Sequence, residues 1–143
     1  MSLDLETLET SFDLIAPRGE ELVDVFYTRL FEAAPAVKPL FAKTDLRKQK
    51  AMLLATLVLL RKSLRDLEAI APKLRQLGAR HVGYGARTEH YPVVAEVMLA
   101  SMAVIAGEAW TAEIEAAWAG ALGLVATAML EGAEEAEALT QAA

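Results

Sequence analysis

Apolar residues recur three or four positions apart along most of this chain, in segments separated by proline, glycine and helix-capping residues. Leu5, Leu8, Phe12 and Ile15 show the pattern in the first segment. This spacing places side chains on one face of an α-helix, whereas a strand would alternate every second residue. Alanine and leucine dominate and runs of β-branched residues are short, which also favours helices. The sequence therefore predicts an all-α protein.

Six helices are predicted from the spacing and from the residues that punctuate it. The residues expected to begin them are, in chain order, Ser2, Pro17, Thr44 or Asp45, Asp66, Thr88 and Thr111. A short turn is expected over 36–41, and Pro72 is expected to interrupt the fourth helix, which Gly83 and Gly85 end. The last helix is predicted to run to Leu130. The acidic, alanine-rich remainder, 131–143, is expected to fray.

The third predicted helix is apolar on nearly all of its faces between residues 51 and 60. A helix of this kind is expected to be covered on more than one side. The stretch has ten residues between Lys50 and Arg61, about half of what a bilayer span requires. We expect a core helix here and no membrane span.

Length and composition exclude several classes of protein. A chain of 143 residues is the size of one domain, and we expect a single domain over 1–143. The net charge of -6 argues against nucleic-acid binding. The absence of cysteine excludes thiolate zinc and iron–sulfur sites. The acidic start of the chain does not resemble a signal peptide, so a cytoplasmic location is expected.

Only two histidines occur, and His81 follows Leu74 and Leu77 at the spacing of one helical face. A buried imidazole needs a hydrogen-bond partner or a ligand. Taken alone, such a histidine is more often a satisfied core residue than a metal ligand, and that interpretation stays open for His81 at this point. Tyr27 and Phe41, taken singly, also have ordinary roles in a core.

Several stretches and spacings recur together in one known family. They are 25–31, 34–41, 77–81 and 90–94, together with Gln49 and Leu53. Gln49 lies 32 residues before His81, and Tyr91 lies ten residues after it. With these features the chain resembles the globin family, and in particular the single-domain bacterial globins and the haem domains of flavohaemoglobins. The resemblance implies a globin fold, a three-on-three helical sandwich around one haem b.

The resemblance also implies roles for individual residues. His81 would bind the haem iron on the proximal side, and Phe41 would pack on the face of the haem. Tyr27, Gln49 and Leu53 would line the distal pocket. Further haem contacts are expected from Leu57, Leu77, Arg80, Tyr84, Tyr91 and Val94. Arg80 would reach a haem propionate, and His90 has no haem role in the family pattern.

One feature departs from the family. In flavohaemoglobin-type globins, a carboxylate of the last helix joins the tyrosine corresponding to Tyr91 and makes the proximal histidine more electron-donating. That position falls on Ala133 here, with Glu131 and Glu134 nearby on other helical faces. A proximal histidine that donates less electron density suits reversible binding better than the cleavage of an oxygen–oxygen bond.

Three functional hypotheses follow. The first is a haem protein that binds O₂ reversibly and tightly for transport, storage or scavenging, with CO and NO as further ligands. The second is a nitric oxide dioxygenase that detoxifies NO and depends on an external reductase. The third is a haem-free, globin-like domain that acts through partner contacts. We expect a monomer or homodimer and favour the first hypothesis, because distal donors such as Tyr27 and Gln49 stabilise bound O₂.

Overall fold

The structure, a computed structural model, describes residues 4–142 and is built from six α-helices within that range. The helices are α1 (Leu5–Ile15), α2 (Gly19–Ala33), α3 (Leu46–Lys62), α4 (Leu67–Gly83), α5 (His90–Ala106) and α6 (Ala112–Ala142). Three of the connections contain a 3-10 turn, at Ala16–Arg18, Pro35–Phe41 and Gly107–Ala109. No strand occurs between residues 4 and 142. The predicted all-α class is confirmed.

Side chains cap several of the helices at their N-termini. The Asp45 carboxylate accepts hydrogen bonds from two backbone N–H groups in the first turn of α3, at 3.0 and 3.4 Å, and Thr111 caps α6 at 3.2 Å. These groups satisfy donors that a helix start leaves free. The predicted cap Ser2 lies outside the described residues, and Asp4 caps α1. Asp66 stands at the start of α4 but makes no capping hydrogen bond with its side chain.

Two predicted features of α4 and α5 are wrong in detail. Pro72 does not interrupt α4, which is continuous through it. It lies in the second turn of that helix, and both Pro72 and Glu68, whose carbonyl loses its intrahelical partner, are exposed to solvent. The fifth helix begins at His90 rather than Thr88, because residues 88 and 89 form a turn. Pro92 occupies its first turn, where a proline needs no intrahelical partner.

The last helix is longer than the sequence predicts. It passes Leu130 and continues to Ala142. Gly132 and Ala133 are buried in it, and Gly132 lies directly against the backbone of α4. At least the first turn of the segment expected to fray is therefore packed.

The core forms where α2 packs on α5, α4 packs along α6, and α1 closes against α6. Trp118 is completely buried in it, and its indole N–H donates to the Ser11 hydroxyl at 2.9 Å. The largest fully buried side chains are those of Trp118, Leu8, Ile15, Leu22, Met102 and Ser101. Because these residues come from α1, α2, α5 and α6, one core holds the whole bundle together.

The prediction that α3 is covered on more than one side is wrong. Leu57 and Leu60 are buried, but Met52 is 59% exposed and Leu59 is 37% exposed. The helix packs through one face on α2 and α1. The face that carries Met52 and Leu59 stays open to solvent.

Two stretches, His90–Ala109 and Ala112–Leu139, are long and apolar enough to cross a membrane, by length and composition only. The core helices of soluble proteins pass the same test. Both stretches also supply the core, through Met102 and Trp118, each 0% exposed.

Candidate functional site

The residues predicted for the site fall into two groups on different helices. The distal group comprises Tyr27 on α2, Phe41 at the end of the following 3-10 turn, and Gln49 on α3. The proximal group comprises Leu77 and His81, both on α4. The two groups therefore stand on different helices, and α3 and α4 are not among the described helices that pack extensively on each other.

Aromatic rings hold Tyr27 in place within the distal group. Tyr27 is 5% exposed, and its ring centroid lies 5.0 Å from that of Phe26 and 5.7 Å from that of Phe41, both edge-on. Phe31 completes the cluster at 5.4 Å from Phe41. Edge-to-face pairs of this kind contribute roughly 0.5–1.5 kcal/mol each beyond their buried area. The phenol is therefore fixed by packing on several sides.

Tyr27 and Gln49 come from different helices, and the Gln49 side chain acts on the Tyr27 phenol. Burial raises the pKa of the Tyr27 phenol, and the polar interaction with Gln49 opposes that shift. The phenol therefore stays protonated at neutral pH and can act as a donor.

His81 is half-buried, and a backbone hydrogen bond orients its ring. Its Nδ1 lies 2.7 Å from the carbonyl oxygen of Leu77, one turn earlier in α4. A carbonyl oxygen can only accept, so Nδ1 carries the proton and Nε2 keeps a free lone pair. Burial lowers the pKa of His81 and the Arg80 charge lowers it further, while the bond to Leu77 opposes the shift. The imidazole is thus a neutral ligand with one free nitrogen.

Other residues expected to contact a haem differ in their exposure. The Tyr84 ring lies 5.5 Å from the His81 ring but is 60% exposed, and Val94 is 38% exposed. Arg80 is also exposed, as a group that binds a propionate at a rim must be. Leu53 and Leu77 are half-buried. Leu57 is 5% exposed and belongs to the core.

The surroundings of Tyr91 bear on the carboxylate that the family places beside this tyrosine, at the position that Ala133 occupies here. The Tyr91 hydroxyl is buried and has no hydrogen-bond partner among the described residues. Burial raises its pKa, and the negative charge of Glu137 raises it further. Ala133 is buried, and Glu131 instead pairs with Arg75 at 2.8 Å. The negative charge of Glu137 thus acts on Tyr91 without a hydrogen bond to its hydroxyl, and Glu131 is engaged with Arg75.

Sequence reasoning missed two residues of this region. Phe31 follows Tyr27 by four residues, a spacing that places both rings on one face of α2. Glu137 follows Ala133 by four residues in the same way. Both could have been found by extending the helical spacing one turn further.

The donor set fits a haem. A haem needs one axial ligand from the protein, and the character of the opposite pocket decides its chemistry. His81 Nε2 supplies such a ligand, and Tyr27 with Gln49 supplies a protonated, hydrogen-bonding pair. Within residues 4–142 no group of three or more acidic, histidine or cysteine side chains could hold a metal ion by itself. A lone imidazole suits a metal that arrives inside its own macrocycle.

Comparison with known proteins identifies the family. The family model for globins matches residues 24–129 of this chain. The chain belongs to the globin family. This globin is 29% identical over 128 residues to a flavohemoprotein of Bacillus subtilis, covering 88% of this chain and 32% of the relative. It is 32% identical over 126 residues to a flavohemoprotein of Chromobacterium violaceum, covering 86% and 31%. The globin thus spans about a third of the length of these curated relatives.

Solved structures confirm the predicted globin fold. An engineered carbene transferase from Rhodothermus marinus superposes with a TM-score of 0.89 at 19% identity, covering 99% of both chains. A bacterial globin from Campylobacter jejuni superposes with a TM-score of 0.80 at 22% identity, covering 92% of this globin and 94% of its own chain. A myoglobin of Aplysia limacina gives 0.78 at 20% identity, with coverages of 92% and 98%. At these identities the likeness concerns the fold alone.

Proposed function

We propose that this globin binds haem b through His81 Nε2 and holds O₂ reversibly between Tyr27 and Gln49. The observation that carries the proposal is the hydrogen bond from His81 Nδ1 to Leu77, at 2.7 Å, because it leaves one neutral nitrogen free on a half-buried ring. Haem bound there supplies an iron with a second axial position for O₂, CO or NO. The chain has no cysteine, so the thioether attachment of a c-type haem is not possible.

In this proposal the distal residues hold the ligand through hydrogen bonds. The Tyr27 phenol is fixed by its aromatic neighbours and stays protonated, so it donates without first having to reorient. Gln49, whose side chain acts on the same phenol, offers its amide as a second donor. Phe31 and Phe41 pack against the Tyr27 ring. This arrangement favours O₂, which is a better hydrogen-bond acceptor than CO.

The proximal residues favour reversible binding. His81 donates to a neutral carbonyl, which makes its ring a moderate electron donor. The Tyr91 hydroxyl has no hydrogen-bond partner in the described part of the chain, so no tyrosine–carboxylate hydrogen bond strengthens that ring. Weak donation favours holding O₂ over breaking its bond.

The second candidate function is a nitric oxide dioxygenase, with NO detoxification as its role. The similarity to proteins named flavohemoproteins favours it, because that name places a flavin and a haem in one protein. This globin matches about a third of their length, so the electrons would come from outside these 143 residues. A cytoplasmic location, which would place it beside soluble reductases, is part of the proposal, and a monomer or homodimer stays a prediction.

A titration of the apoprotein with hemin tests the haem proposal. We expect wild type and His90→Ala to bind one haem and to develop the same sharp Soret band. His81→Ala removes the only ligand, so we expect its affinity to fall at least roughly tenfold to a hundredfold and its band to broaden. The two histidines thus form a matched pair. Equal affinity and equal spectra for His81→Ala and wild type would refute the assignment.

Nitrate production separates the two candidate functions. NO is added in successive portions to the oxygenated protein, with NADH and a cell extract as the source of reductase. Reversible O₂ binding alone predicts about one nitrate per haem. Many nitrates per haem, produced only with the extract, would establish the dioxygenase instead.

A further inference from the structure

Helices α4 and α6 approach each other so closely that two glycines lie against the opposite backbone. A Cβ atom added at Gly78 would lie 1.8 Å from the carbonyl oxygen of Met129. One added at Gly132 would lie 1.9 Å from the carbonyl oxygen of Arg75. Real Cβ atoms essentially never come closer than 3.0 Å to such a neighbour. Because both obstacles are backbone atoms, no change of rotamer could relieve the overlap, and only a separation of the helices could.

An ion pair lies at the same crossing. Arg75 and Glu131 pair across it at 2.8 Å. Arg75 is the residue whose carbonyl lies against Gly132, and Glu131 directly precedes Gly132. Their side chains are about half exposed, so the pair alone stabilises the crossing little. We call Gly78, Gly132 and this ion pair the α4–α6 crossing.

The crossing lies within one turn of the proposed iron ligand. Gly78 directly follows Leu77, whose carbonyl accepts from His81 Nδ1, and His81 lies three residues beyond Gly78. Among the described helices, α4 and α6 pack on each other most extensively. A change in their spacing therefore moves the helix that carries the imidazole.

We propose that Gly78 and Gly132 are positioning residues that set how far His81 reaches towards the haem iron. This inference rests on the proposed haem-binding function and names what controls its proximal side. Any side chain at either position must move α4 away from α6 by roughly 1.5 Å, because cores cannot absorb an overlap of that size. A metal–imidazole bond is only about 2 Å long. A shift of that size strains or lengthens the bond, and O₂ release changes with it.

The chain offers matched controls on the same two helices. A Cβ atom built at Gly83 of α4 or at Gly123 of α6 meets nothing within 4 Å. The experiment compares Gly78→Ala and Gly132→Ala with Gly83→Ala and Gly123→Ala. Each variant is reconstituted with haem, and the iron–histidine stretching band of the ferrous, ligand-free form is recorded by resonance Raman spectroscopy. O₂ dissociation is followed by stopped flow, and unfolding in urea is measured in parallel.

We expect the crossing variants to show a shifted or broadened iron–histidine band and an O₂ dissociation rate changed about tenfold. The control variants should match wild type in both. Crossing variants that bind haem with a wild-type band and a wild-type rate would overturn the proposal, even if they unfold at lower urea, because the glycines would then be structural only.

A second measurement decides the case in which neither crossing variant folds in buffer. Gly78→Ala and Gly132→Ala are refolded with haem in sucrose, which strengthens burial, and wild type in the same sucrose is the control. A shifted iron–histidine band upholds the proposal, and a wild-type band overturns it. Failure of the underlying haem function looks different, since wild type and both control variants would then lack a haem band altogether.

Discussion

Burial keeps both His81 and Tyr27 uncharged, although it shifts their pKa values in opposite directions. It lowers the pKa of the imidazole and raises the pKa of the phenol, and each shift favours the neutral form. A neutral imidazole can bind a metal, and a neutral phenol can donate a hydrogen bond. The same physical effect thus prepares a ligand on α4 and a donor on α2.

Replacing Tyr27 by phenylalanine removes the donor and keeps the ring. The packing against Phe26 and Phe41 should survive, so the fold should be little affected. A hydrogen bond to a charged acceptor is worth about 1.5 to 3 kcal/mol, which predicts O₂ release roughly ten to a hundred times faster. Stopped-flow dissociation measures this, with His90→Ala, which has no expected haem role, as the control. An unchanged rate in Tyr27→Phe would remove this residue from the distal site.

The lowered pKa of His81 makes the stability of the apoprotein depend on pH. The unfolded histidine titrates near 6.5, and the native one at a lower pH, so the native state binds fewer protons between these values. The free energy of unfolding therefore has its full value above about pH 6.5, and it decreases as the pH is lowered towards the native pKa of His81. Urea unfolding at pH 7.5, 6.5 and 5.5 should show the decline.

A matched variant separates this effect from other titrations. The carboxylates of Glu9 and Asp13 have pKa values lowered from 4.5 and 3.8 by their arginine partners, so their contributions are lost only at more acidic pH. His81→Leu should abolish most of the decline between pH 7.5 and 5.5. A decline of the same size in His81→Leu would assign it to another group.

At the scale of whole elements, helix ends and faces were predictable where a local residue decides them. Asp45 and Thr111 cap their helices as predicted, because capping depends on neighbours only a few residues away. The exposure of one face of α3 was not predictable, because an apolar sequence does not say which neighbour will lie beside the helix. Met52 stays 59% exposed because no helix packs on that side.

The turn between α5 and α6 depends on a glycine. Gly107 has φ +58° and ψ -128°, a backbone conformation that residues with a Cβ rarely adopt. Gly107→Ala should therefore lower the free energy of unfolding by about 1 to 3 kcal/mol. Gly123→Ala, in the open middle of α6, should raise it by up to about 1 kcal/mol. Urea unfolding of both variants tests this, and equal stability of Gly107→Ala and wild type would contradict it.

For the molecule as a whole, the sequence predicted the fold and most of the candidate site but not its long-range contacts. Helical spacing indicated the six helices, and the resemblance singled out His81, Tyr27 and Gln49. The contact of Gly78 with Met129 joins residues far apart in the chain, and nothing in the local spacing of α4 predicts it.

The central claim is that this chain holds one haem through His81 and binds O₂ on the opposite side. The absorption spectrum of the reconstituted, ferrous protein with and without O₂ tests it most directly, since it reports haem, coordination number and ligand binding together. We predict a five-coordinate ferrous spectrum that changes on adding O₂ and returns when O₂ is removed. A protein that shows no haem band, or a ferrous spectrum that O₂ leaves unchanged, would contradict the account.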